Sequence, residues 1–128
     1  MSEEVIYLSL DDLIELVRDL GVGPVRDVGL LDSALGRVRS SAFGVDVYAS
    51  AELKAAALLD STTNNHALVD GSKRLGLLSA AVFLDLNDFK IGCGDEAAFD
   101  LVWQVADTHL ALPEIVERLQ ISRMRRRA

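Results

Sequence analysis

Cysteine is nearly absent from the 128 residues, and the lone Cys93 cannot close an internal disulfide. That removes the disulfide-stapled secreted scaffolds and leaves Cys93 as a passive loop residue. Proline occurs twice and aromatic residues make up only 5% of the chain, while Leu, Ala and Val are abundant. This balance disfavours a β-sandwich and favours helices. No apolar run reaches the roughly 18 residues of a membrane span, and the acidic start lacks the basic and apolar segments of a secretory signal. A soluble, cytoplasmic protein without a membrane partner is expected. Positive charge is also in deficit, with 13 Lys and Arg against 20 Asp and Glu. Four of those cations, Arg123, Arg125, Arg126 and Arg127, crowd into the last residues. The body therefore has no broad basic face, and no direct DNA binding is expected.

What is present is helical periodicity. Leu10, Leu13, Ile14, Val17 and Leu20 share one face, with Ser9 as cap and Asp11 and Asp12 in the first turn, which predicts a helix over residues 10–20. After the breaker Gly21-Val22-Gly23-Pro24, residues 29–38 read as a second, short helix. Residues 43–49 alternate Val45, Val47 and Ala49 after Gly44, a pattern shared by a loop and a short extended flap able to dock a peptide by strand addition. Ser50 caps a third helix running to residue 65. From Ser72 to Leu86 the chain is apolar nearly all round, as expected for the central core helix. Asp95 caps a helix containing Phe99, Val102, Trp103, Ala106 and Leu110. Pro113 suits the first position of a last short helix. The whole reads as one all-α domain over residues 1–121, followed by a basic, solvated tail over 122–128.

Chemistry concentrates in His66-Ala67-Leu68-Val69-Asp70-Gly71-Ser72-Lys73-Arg74, between one helix and the start of the next. A helix N-terminus offers unpaired N–H groups and the positive end of a dipole, and Gly71 allows close approach to its backbone. Lys73 and Arg74 oppose that dipole by up to roughly 1 kcal/mol each, a penalty that a bound anion reverses. Asp70 can hold Mg²⁺ bridging phosphate oxygens, and the imidazole of His66 can take a proton from an attacking hydroxyl at neutral pH. A Walker loop is excluded because Ser72 separates Gly71 from Lys73 and the preceding segment is helical. No zinc spacing joins His66, Asp70, Cys93 and His109, and His109 reads as a helix C-terminal residue.

These nine residues resemble the Fic/Doc signature, which reads H-x-F-x-D-[AG]-N-K-R in Doc-like members. Gly29-Leu30-Leu31-Asp32-Ser33-Ala34-Leu35-Gly36-Arg37 is similar to the upstream Doc-like stretch, and the likeness runs from residue 10 to 119. The resemblance implies a compact six-helix bundle and a toxin of a toxin–antitoxin pair. Lys73 stands where AMP-transferring Fic proteins carry Gly. The resemblance therefore implies a kinase-like transfer of the terminal phosphate of ATP to a threonine of elongation factor Tu, blocking translation. It assigns His66 as general base, Asp70 as Mg²⁺ ligand, and Gly71, Ser72, Lys73 and Arg74 as the phosphate-binding loop, with Lys73 and Arg74 neutralising the charge that builds up. Leu68 replaces the family's Phe and can still plug an apolar socket. Ser72 replaces its Asn, and loss of one amide donor costs on the order of 3 kcal/mol, which predicts reduced rather than absent activity. No Glu is followed by Gly or Asn, so the self-inhibitory motif of many Fic proteins is missing and a separate Phd-like antitoxin is implied. The rival readings are AMP transfer on the same fold and an inactive helical module that binds an antitoxin.

Overall fold

The computed structural model describes residues 4–124. Its order is α1 (Leu10–Leu20), α2 (Val28–Arg39), β1 (Ser41–Ala42), β2 (Val45–Asp46), α3 (Ala51–Asn64), α4 (Ser72–Leu86), β3 (Phe89–Ile91), α5 (Asp95–Thr108), α6 (Leu112–Leu119) and β4 (Ile121–Arg123). Six helices carry the core, and the strands form two short antiparallel pairs, β1 with β2 and β3 with β4. This is the expected all-α bundle.

The caps explain where the first helices begin. Ser9 accepts a hydrogen bond from the Asp12 N–H while Asp12 returns one to the Ser9 N–H, a reciprocal box that satisfies two otherwise orphaned donors. Asp27 caps α2 through the Gly29 N–H, and Ser50 caps α3 through the Leu53 N–H. Asp95 proves to be the first residue of α5 rather than its cap, which is Gly94.

The centre of the bundle is α3, not α4 as the hydropathy of residues 72–86 suggested. Eight residues of α3 are buried against six of α4, and α3 packs on α2, α4, α5 and α6. The reason is size. Ala55, Ala56 and Ala57 let neighbours approach from several sides, whereas hydropathy rewards the larger Leu, Val and Phe of α4. Gly76 of α4 contributes to the same closeness, because a Cβ there would collide with the Thr63 hydroxyl of α3.

Residues 41–46 form a hairpin turning on Phe43 and Gly44, both with positive φ, so the extended flap is the form adopted. It is tethered to the core. Lys54 of α3, only 1% exposed, pairs with Asp46 at 2.9 Å and also donates to the Tyr48 carbonyl. Beside it, Arg37 donates to the Tyr48 hydroxyl, to Asp60 and to Ser61. Burial works to lower the Arg37 pKa, but the bonds to Asp60 and Tyr48 outweigh it and raise the value. The final basic segment is not wholly a tail. Ser122 and Arg123 belong to β4, and the Arg123 guanidinium lies 4.8 Å over the Phe89 ring. Arg125, Arg126 and Arg127 lie outside the described residues.

Candidate active site

The segment 65–71 is an ordered bridge between the two most closely packed helices, held by the α1–α2 connector. The Gly23 N–H donates to the Asp70 carbonyl at 2.9 Å, the Val69 N–H to the Pro24 carbonyl at 3.0 Å, and the Arg26 N–H to the Ala67 carbonyl at 2.7 Å. The Arg26 side chain adds a bond to the His66 carbonyl at 2.6 Å. Asn65 fixes the entry to the segment, with its Nδ2 donating to the Leu30 carbonyl and its Oδ1 accepting from the Ala67 N–H. Backbone pairing of this kind satisfies polar groups that a loop would otherwise leave to water.

Side chains then sort by facing. Ala67 and Leu68 are buried, Leu68 with 4% exposure inside the main core cluster, so leucine does plug the socket. His66, Val69 and Asp70 face outward. His66 sits at φ +58, an uncommon conformation for a side chain with a Cβ, which aims it away from the plugs beside it. Gly71 has φ +96, and a Cβ there would collide with Val22. Its identity is thus explained by the backbone and the α1–α2 connector before any ligand is considered.

Gly71 is also the N-cap of α4, and it supplies no side-chain cap. The first turn contains no acid; Ser72, Lys73 and Arg74 occupy it. The start of α4 therefore combines orphan N–H donors, a positive dipole end and two cations, an arrangement complementary to an anion.

Two adjoining clefts open on this point. The first, about 310 Å³, is lined by Thr63, Asn64, His66, Asp70, Gly71, Ser72, Lys73 and His109, among others. The second, about 260 Å³, is lined by Asp70, Gly71, Ser72, Lys73, Arg74, Phe99 and Trp103. Each is near the lower end of the roughly 300–1,000 Å³ of small-molecule sites, and their shared residues make them neighbours. His66, Asp70, Gly71, Ser72 and Lys73 thus come together in one cleft, and Arg74 falls in the adjoining one.

Several residues here escaped the sequence reading. His109 does cap α5 at its C-terminus, in a left-handed conformation, but it also lines the cleft of His66. Asn64 and Thr63 enter from the last turn of α3, and Phe99 and Trp103 from α5. Helical periodicity put the two aromatic residues on one face with Val102, which is buried, whereas both rings are more than half exposed. Cys93 takes no part in either cleft, and burial pushes its thiol pKa up, away from reactivity.

Asp70 lends one outward carboxylate to both clefts. Among the described residues no group of three or more His, Cys, Asp or Glu gathers to cage a metal. A single carboxylate completed by phosphate oxygens and water suits Mg²⁺, so the donor set fits that ion.

The Fic/DOC family model matches residues 7–84, well over half of the chain. The chain is also 42% identical over 97 residues to "Toxin Doc" of Mycolicibacterium smegmatis (strain ATCC 700084 / mc(2)155), covering 74% of this chain and 75% of that protein.

Proposed function

The chain belongs to the Fic/DOC family, and from that premise we propose that it is the toxin of a toxin–antitoxin module, a phosphotransferase that moves the terminal phosphate of ATP onto a protein hydroxyl. Its target is elongation factor Tu, its site of action the cytoplasm, and its inhibitor a Phd-like antitoxin. The observation that carries this reading is the cleft joining outward His66 to the uncapped, cationic start of α4.

Each residue has a task in the transfer. The phosphates lie against the N–H groups of the first turn of α4, where Lys73 and Arg74 neutralise charge as it spreads onto the phosphoryl oxygens. His66 takes the proton of the attacking hydroxyl as its oxygen bonds to the terminal phosphorus. The bond from that phosphorus to the bridging oxygen breaks, and ADP leaves. Asp70 would hold Mg²⁺, which supplies charge neutralisation to the phosphate oxygens when bound. Ser72 offers a hydroxyl and a backbone N–H where Doc-like relatives carry an amide, and the rate is reduced accordingly.

Purified protein incubated with Mg²⁺, a cell extract and ATP labelled at either the γ or the α position tests the reaction. Label from the γ position should enter one protein band, more strongly with a Ser72→Asn variant. Entry of the α label instead establishes AMP transfer. Failure of both labels with both proteins removes the enzymatic reading and leaves an antitoxin-binding module.

A further inference from the structure

Lys73 is held by a ring. Its Nζ lies 4.4 Å from the centroid of Trp103, on the neighbouring helix α5, and neither ion pair found among the described residues involves Lys73. Trp103, the chain's single tryptophan, is 52% exposed although it stands on a helix that buries Leu101, Val102 and Val105. Phe99, one turn earlier, is also more than half exposed and its ring centroid lies 6.2 Å from that of Trp103. Leaving large apolar rings in water has a cost, so their exposure beside a cationic helix start calls for a reason.

We propose that Trp103 is a positioning residue that keeps the Lys73 ammonium at the α4 anion site without neutralising it. At a helix start the dipole repels a cation, and a flexible lysine left to itself moves out into solvent. A carboxylate partner would hold the side chain, but it would also compete with an incoming phosphate for the same charge. The negative face of an indole holds the ammonium and leaves its charge available. Lys73 lines both clefts, His66 only the first and Trp103 only the second, so the ring holds the lysine from within the cleft that His66 does not line. This inference rests on the proposed anion site at residues 71–74, and it adds a residue that belongs to neither the loop nor the motif.

Titration calorimetry of the full chain with inorganic tripolyphosphate at low salt separates the two ideas. Wild type should bind, Trp103→Leu should bind roughly two- to fivefold more weakly, as expected for a half-exposed cation–π contact, and Trp103→Phe should recover most of the loss. In a Lys73→Met background Trp103→Leu should have no further effect, because the contact has already gone. Proton NMR gives a reading independent of any ligand, since the Lys73 side-chain methylene signals, shielded by the indole face, should move downfield in Trp103→Leu. Equal losses with and without Lys73, or unchanged binding in Trp103→Leu, overturn the positioning role while the anion site stands. A loss seen with ATP but not with tripolyphosphate also overturns it and makes Trp103 a platform for the nucleobase. No binding of tripolyphosphate by the wild type removes the anion site and this inference together.

Discussion

The starts of α1 and α4 are opposites made from the same kind of element. At α1, Ser9 and Asp12 satisfy the first donors reciprocally, and Asp11 and Asp12 complement the dipole. At α4 the cap is a glycine with no side chain to offer, and the first turn carries Lys73 and Arg74. The first arrangement stabilises the helix on its own; the second leaves donors and positive potential that only an anion would answer, as in the proposed function. The lesson is that α4 is the one described helix whose start has neither a side-chain cap nor an acid in its first turn, and a helix end that forgoes both is where a functional anion is best sought.

The largest effect that would sharpen this contrast comes from the imidazole that shares a cleft with the α4 start. His66→Asn, chosen because asparagine tolerates positive φ, should lower phosphate transfer by roughly 10²- to 10⁴-fold while the thermal midpoint stays in place. Leu68→Ala removes the plug that holds the segment before α4. It should cost about 2–5 kcal/mol in urea unfolding, and a loss near zero would mean that the socket is not filled as described. Gly71→Ala sets a methyl against Val22 and forces an unfavourable backbone, for roughly 1–3 kcal/mol, part of which a second change, Val22→Ala, should return. At the other helix, Ser9→Ala should cost about 1 kcal/mol in the same measurement and leave transfer untouched. The smallest effect would break the contrast directly. Arg74→Glu gives α4 an acidic first turn like that of α1, so stability should rise by roughly 0.3–1 kcal/mol as tripolyphosphate binding weakens.

Much of this molecule could be read from residues alone where the signal is local. The caps Ser9 and Ser50 and the spacing of Leu13 and Val17 located α1 and α3 because the physics involves neighbours three or four positions apart. The run from His66 to Arg74 stood out for the same reason, as all its groups are contiguous. Strands β3 and β4 gave no such signal. They are three residues each, and the pairing of Phe89 with Arg123 depends on a return of the chain over α5 and α6. Nothing in the residues next to Lys54 marks it as buried, and only the hairpin that brings Asp46 and Tyr48 over it makes its burial tolerable.

Sequence by itself determined the helices, the caps Ser9 and Ser50, and the order of imidazole, carboxylate and cations along one short segment, because each follows from spacing along the chain. Tertiary structure alone decided that α3 sits at the centre, that His109 and Asn64 join His66 in one cleft, and that Trp103 meets Lys73. Those outcomes depend on side-chain volume and on how helices cross, and neither leaves a period in the sequence.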